Sequence, residues 1–241
     1  MFPTAPSSWS RWDTRSTRLP ITPDAAEPFR SALREAAGAF AEVSGQLPSL
    51  TDMATQYYTA SSIDGFIADP DNSLTWLFQF SEQTGMEDQY PRFIADVGAM
   101  AMGSTTYEWI ADHTGFLADP SKWEYTVPTW VFSSRELPRV DGPDIRFVSG
   151  DVMPVHEEMV RAADSRNVWL VGGGDLVGQF HDHGLLDEVI IGIASVFLGA
   201  GAPLLPRRIV TPPLQLREAT AYGADFAMLR YAVRRASAEP Q

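Results

Sequence analysis

The chain has 241 residues, a formal net charge of −13 and no cysteine. That length suits one domain or two small ones, and folding at this size buries roughly 70–75% of the unfolded surface. With no cysteine there are no disulfides, thiolate nucleophiles or thiolate-bound metals. The charge speaks against nucleic acid and anionic membrane as partners, because phosphate binding needs many Lys or Arg. The absence of an apolar run of ~20 residues and of a secretory leader fits a cytoplasmic compartment.

Residues 1–23 are rich in Ser, Thr, Pro and Arg, and are expected to form a disordered tail. From 24 to 43, Phe29, Leu33, Ala36, Ala37, Phe40 and Val43 recur at helical spacing, which predicts one amphipathic helix followed by a linker to residue 52. The main domain is expected over 53–236, with a short tail at 237–241. The charge divides unevenly: residues 53–241 hold 13 basic and 25 acidic residues. Lys122 is the one lysine, so arginine does nearly all the cationic work.

Within the domain, short apolar runs at 55–61, 97–102, 129–132, 145–148 and 168–171 are bounded by Gly, Pro, Ser or Asp. They predict strands buried on both faces. Helical patterns lie between them, with Val152, Val155, Met159, Val160 and Ala163 on one face, and Leu176, Val177 and Phe180 on another. Alternating strands and helices predict an α/β domain with a mostly parallel sheet. The end of the chain differs: a long β-branched run at 188–197 precedes runs at 214–219 and 226–233 joined through Tyr222-Gly223. The last two runs are predicted to pair as an antiparallel hairpin.

Several strand ends carry phosphate-friendly chemistry. Val168-Trp169-Leu170-Val171 runs into Gly172-Gly173-Gly174-Asp175 and then a helix. Glycines admit close backbone approach, and helix-start N–H groups attract anions. The spacing departs from the dinucleotide fingerprint G-x-G-x-x-G, and a plain tight turn is the competing explanation. Met102 is followed by Gly103-Ser104-Thr105-Thr106, where a hydroxyl can serve simply as a helix cap. Ser133-Ser134-Arg135 follows a third strand. Asp64-Gly65 lies in the loop after the first strand and can be an ordinary turn. The histidines are spread, with His181 and His183 two apart on a helix and so not facing each other; no metal is expected.

The ordered set is similar to a known family. Ser62-Ile63-Asp64-Gly65-Phe66-Ile67-Ala68, Met102-Gly103-Ser104-Thr105-Thr106-Tyr107-Glu108, Val131-Phe132-Ser133-Ser134, Gly172-Gly173-Gly174 and Val196-Phe197-Leu198-Gly199-Ala200-Gly201-Ala202-Pro203 occur in that order. Together they resemble the dihydrofolate-reductase-like superfamily, and within it the RibD C-terminal domain family, the reductase of riboflavin biosynthesis. The resemblance covers about residues 54–235. It implies a three-layer α/β/α sandwich, NADPH as hydride donor with NADH not excluded, a small-molecule substrate and a homodimer. It also implies site residues: Gly103, Ser104, Thr105 and Thr106 beside the cofactor phosphates; Ser133, Ser134 and Arg135 near the 2′-phosphate; Gly172, Gly173, Gly174 and Asp175 on the pyrophosphate; Ser62, Asp64, Gly65 and Trp76 toward substrate, with Asp64 binding substrate or relaying a proton. Two positions depart from the relatives' pattern. Ser104 stands where many carry a basic residue, and Thr75 where many carry Asp. The expected activity is reduction of 5-amino-6-(5-phosphoribosylamino)uracil. Reduction of a pterin, folate or other small C=N or C=O acceptor, and a non-catalytic nucleotide-binding module, are the alternatives.

Overall fold

The computed structural model describes residues 53–80 and 87–235. The helix expected over 24–43 and both tails lie outside the described residues. In chain order the elements are β1 (Thr55–Ser62), β2 (Phe66–Ala68), α1 (Thr75–Phe78), α2 (Gln89–Ala95), β3 (Val97–Gly103), α3 (Ser104–Thr114), β4 (Thr129–Phe132), β5 (Ile145–Val148), α4 (Val152–Ala162), β6 (Asn167–Gly172), α5 (Gly174–Asp182), β7 (Glu188–Ala194), β8 (Ala202–Pro203), β9 (Gln215–Tyr222) and β10 (Phe226–Ala232).

Eight strands form one sheet in the order β5-β4-β3-β6-β1-β7-β10-β9. The six strands from β5 to β7 run parallel, and β10 and β9 add an antiparallel hairpin. The small strands β2 and β8 pair separately. The sheet is therefore mixed and mostly parallel, as the alternation of apolar runs and helices predicts.

The two-residue period of each strand assigns its side chains to two layers. Ala99, Ala101, Val168 and Leu170 pack on one face with Val155 and Met159 of α4 and Val177 and Phe180 of α5. Met100, Met102 and Trp169 face the other way, onto Tyr107, Ile110 and Ala111 of α3. A third cluster, on Ile190, Phe226 and Met228, takes Phe80, Trp76 and Leu77 against it. Trp130, Tyr57 and Tyr107 are fully buried, and each contributes several times the ~0.8 kcal/mol of a buried methylene.

Some expected boundaries shift for local reasons. The long run at 188–197 stops being strand at Ala194, because Val196 turns to accept a hydrogen bond from Ile63 N at 2.8 Å. Phe197 consequently lies exposed. Strand β5 sits at the sheet edge with Arg146 exposed, so it is not buried on both faces as expected. The short helices α1 and α2 had no clear helical period; α2 carries Pro91 in its first turn, where the missing N–H is tolerated.

Candidate active site

Strands β3 and β6 are neighbours, and each ends on a glycine from which a helix starts. Helices α3 and α5 are capped at the N-terminus by Gly103 and Gly173, and neither cap makes a side-chain hydrogen bond. Their first N–H groups therefore keep donor capacity toward the carboxyl edge of the sheet. The two glycine turns adjoin: a Cβ on Gly103 would stand 3.8 Å from Gly173 N. Gly172 has φ +150, a backbone that a side chain disfavours. Gly173 would carry a Cβ into open space, whereas a Cβ on Gly174 would strike the carbonyl oxygens of Pro203 and Leu204. Gly174 is thus required by packing against the segment around β8, and Gly173 is the glycine with room beside it.

A cavity of about 680 Å³ opens beside these turns. Thr105, Thr106 and Gly172–Asp175 line its β6 end. Its floor continues over Tyr58 and Ala60 of β1 and Gly192 of β7 to Phe226 and Met228 of β10. Trp109 of α3, Trp169 of β6 and Tyr125 form walls, and Leu77, Phe78 and Phe80 close the β10 side. Burial pushes the Tyr58 and Tyr125 phenols above the ordinary tyrosine value, so both are neutral hydroxyls at neutral pH. Trp109 stacks on His113 with ring centroids 3.8 Å apart, and its Nε1 is buried without a hydrogen-bond partner.

The structure brings part of the expected set to this cavity. Thr105, Thr106, Gly172, Gly173, Gly174 and Asp175 line it. The Asp175 carboxylate is held by Arg207 at 3.1 Å and by Gln179 at 3.1 Å, so only its backbone N–H is available for an anion. Ser104 and Arg135 meet just outside: Arg135 donates to Ser104 Oγ at 3.2 Å and, with two nitrogens, to Glu108 at 3.0 and 2.7 Å. Ser133 Oγ accepts from Arg135 N at 2.9 Å, closing the loop that carries the arginine. Ser134 lies in the same loop, and its side chain makes none of these contacts.

The residues assigned to substrate do not themselves line the cavity, whereas Ile67, Ala68, Asn72 and Leu74 beside them in the chain do. Asp64 accepts from Ser62 Oγ at 2.6 Å, Leu198 N at 3.1 Å and Gly199 N at 2.7 Å. The Ser62 hydroxyl and then these amides hold its carboxyl below the ordinary value of 3.8, so it is ionised at neutral pH with no proton to give. It clasps the β1–β2 turn to the turn after β7. Ser62 is buried and also accepts from Phe66 N at 3.0 Å, and Gly65 supplies the turn with φ +84. Trp76 packs into the Phe226 cluster rather than lining the cavity. Sequence reasoning missed the aromatic lining of the β10 side. Its one local signal is alternation, which puts Phe226 with Met228 on the same face of β10.

The mixed, mostly parallel sheet with its C-terminal hairpin is shared with solved riboflavin-biosynthesis proteins. A "Putative riboflavin biosynthesis protein" from Shewanella sp. PV-4 superposes with a TM-score of 0.63 at 22% identity, covering 76% of this chain and all of that one. The diaminohydroxyphosphoribosylaminopyrimidine deaminase/5-amino-6-(5-phosphoribosylamino)uracil reductase of Thermotoga maritima gives 0.51 at 14% identity, over 75% of this chain and 56% of that longer protein. The chain belongs to the RibD C-terminal domain family, whose model matches residues 106–228. Two Bacillus subtilis (strain 168) proteins are similar in sequence. YwjB is 28% identical over 169 residues, 70% of this chain and 92% of its own length. YyaP is 24% identical over 151 residues, 60% of this chain and 76% of its own. Both are described as uncharacterized.

Proposed function

We propose that the protein is a reductase that binds a reduced nicotinamide dinucleotide, NADPH or NADH, along the β3–β6 edge and reduces a small organic acceptor in the aromatic cavity. The observation that carries this reading is the pair of adjoining glycine turns, each opening a helix without a side-chain cap, at the rim of a deep apolar cavity. A pyrophosphate fits there because backbone N–H groups of Gly173–Asp175 and Ser104–Thr106 bind an anion without needing a formal cation. That resolves the difficulty posed by the domain's acidity. Gly173, with open space where a Cβ would stand, leaves room for the approach. Ser104, Ser133 and Arg135 are the groups within reach of a 2′-phosphate.

When bound, the dinucleotide supplies a hydride. The chain's residues supply the rest. Trp109, Trp169 and Tyr125 wall the cavity and fix the orientation of flat rings. Asp64 keeps the β1–β2 turn closed on the turn after β7, which positions the loop.

The test is a fluorescence titration of the full chain with NADPH and with NADH. Binding of at least one below millimolar is expected. Failure of both to bind at that level removes the reductase reading.

A further inference from the structure

We propose that the β10 side of the cavity takes an uncharged, flat and largely apolar carbonyl or imine acceptor rather than a phosphorylated sugar. The proposal rests on the reductase reading and narrows its substrate class. The floor crosses four neighbouring strands, β6, β1, β7 and β10, about 14 Å at the usual strand spacing. Its two ends differ in chemistry. The β6 end has the glycine turns and two helix starts. At the other end stand Leu77, Phe80, Phe226 and Met228, with the Phe80 and Phe226 rings 6.1 Å apart. Gly192 lets the Phe226 ring lie against the floor, since a Cβ there would come within 2.7 Å of its Cε1.

Among the described residues that line the cavity, Asp175 is the one with a formal charge at neutral pH, and that charge is negative. Guanidiniums around the cavity are already engaged: Arg207 with Asp175 and Asp182, Arg135 with Glu108, and Arg92 and Arg230, which share an adjoining pocket with Tyr58 and Met228, with Asp88 and Glu188. Helix α1 has four residues, too few to present an anion-binding start. A phosphate monoester at this end would leave water for an aromatic wall that carries no free counter-charge among the described residues, which is strongly unfavourable. The acidic domain repels it further. An uncharged ring instead gains from burial and from offset or edge contacts with Phe80 and Phe226. In the reaction the acceptor carbon gains the hydride while the dinucleotide is oxidised. The C=O or C=N π pair passes to the heteroatom, which takes its proton from water.

The test compares three probes on the full chain: uncharged menadione, 5-amino-6-(5-phosphoribosylamino)uracil, and 7,8-dihydrofolate with its anionic tail. Isothermal titration calorimetry without dinucleotide reads the binding order whether or not any probe is reduced. Menadione is expected to bind at least tenfold more tightly than either anion. Phe78→Arg at the cavity mouth is expected to narrow that gap about tenfold, with Phe78→Leu as the uncharged control. Equal or tighter binding of either anion, or no binding of menadione, overturns the proposal. In a parallel arm NADPH and NADH oxidation is followed with each probe. Menadione binding with no oxidation of either dinucleotide by any probe counts against the reductase reading and leaves the binding order standing.

Discussion

At the scale of single residues, Glu108 is the side chain whose role the fold most changes. It holds Arg135 through two hydrogen bonds, which are also what raise the Arg135 pKa. A 2′-phosphate near Ser104 must share that guanidinium with a carboxylate that repels it. Glu108→Gln is therefore expected to raise NADPH affinity about threefold or more relative to NADH, in line with a partly solvated charge pair. Arg135→Ala should erase the difference between the two dinucleotides. The measurement is the ratio of the two dissociation constants in each variant, and a ratio that Glu108→Gln leaves unchanged rejects the assignment. Asp64 shows the converse case. A carboxylate just before a glycine was legible as a special turn residue. Its three donors make it an ionised clasp, and two of those donors come from a segment more than 130 residues away.

At the scale of elements, the start of α5 separates two glycines that look alike in sequence. Gly174 lies against the carbonyls of Pro203 and Leu204, while Gly173 faces open space with φ −79. Gly174→Ala is expected to lower stability by about 1–3 kcal/mol, the usual penalty for overpacking a tight contact. Gly173→Ala is expected to leave the unfolding midpoint nearly unchanged and to weaken dinucleotide binding at least fivefold, because its methyl enters the space assigned to the phosphates. Urea unfolding and fluorescence titration of both variants separate the two effects. If both variants lose stability equally, the structural distinction between the glycines is incorrect.

At the scale of the whole molecule, the net charge sets the field that the proposed dinucleotide would meet on approach. Backbone N–H groups bind phosphate at short range, whereas the excess of acidic residues acts over the screening length. That length shrinks from about 30 Å at 0.01 M salt to about 10 Å at 0.1 M. NADPH affinity is therefore expected to stay level or rise across this range when measured by titration at fixed pH. A tenfold fall would instead reveal a cationic site carrying the binding, as at a surface built from many Lys and Arg. Among the described residues no helix is long and apolar enough to cross a membrane.

Local signals sufficed for much of this protein. Apolar runs bounded by turn residues located β3, β4, β5, β6 and β10 closely, and helical spacing located α4 and α5, because strand and helix periods are written in nearest neighbours. The glycine turns at Gly103 and Gly172–Gly174 were legible for the same reason. The cavity was not. Its floor joins Tyr58, Trp169, Gly192 and Phe226, which are far apart in the chain and become neighbours only through the order β6-β1-β7-β10. Likewise, whether an acidic side chain clasps a loop, as Asp64 does, or neutralises an arginine, as Glu108 does, depends on a partner that only the packed sheet brings within hydrogen-bond distance.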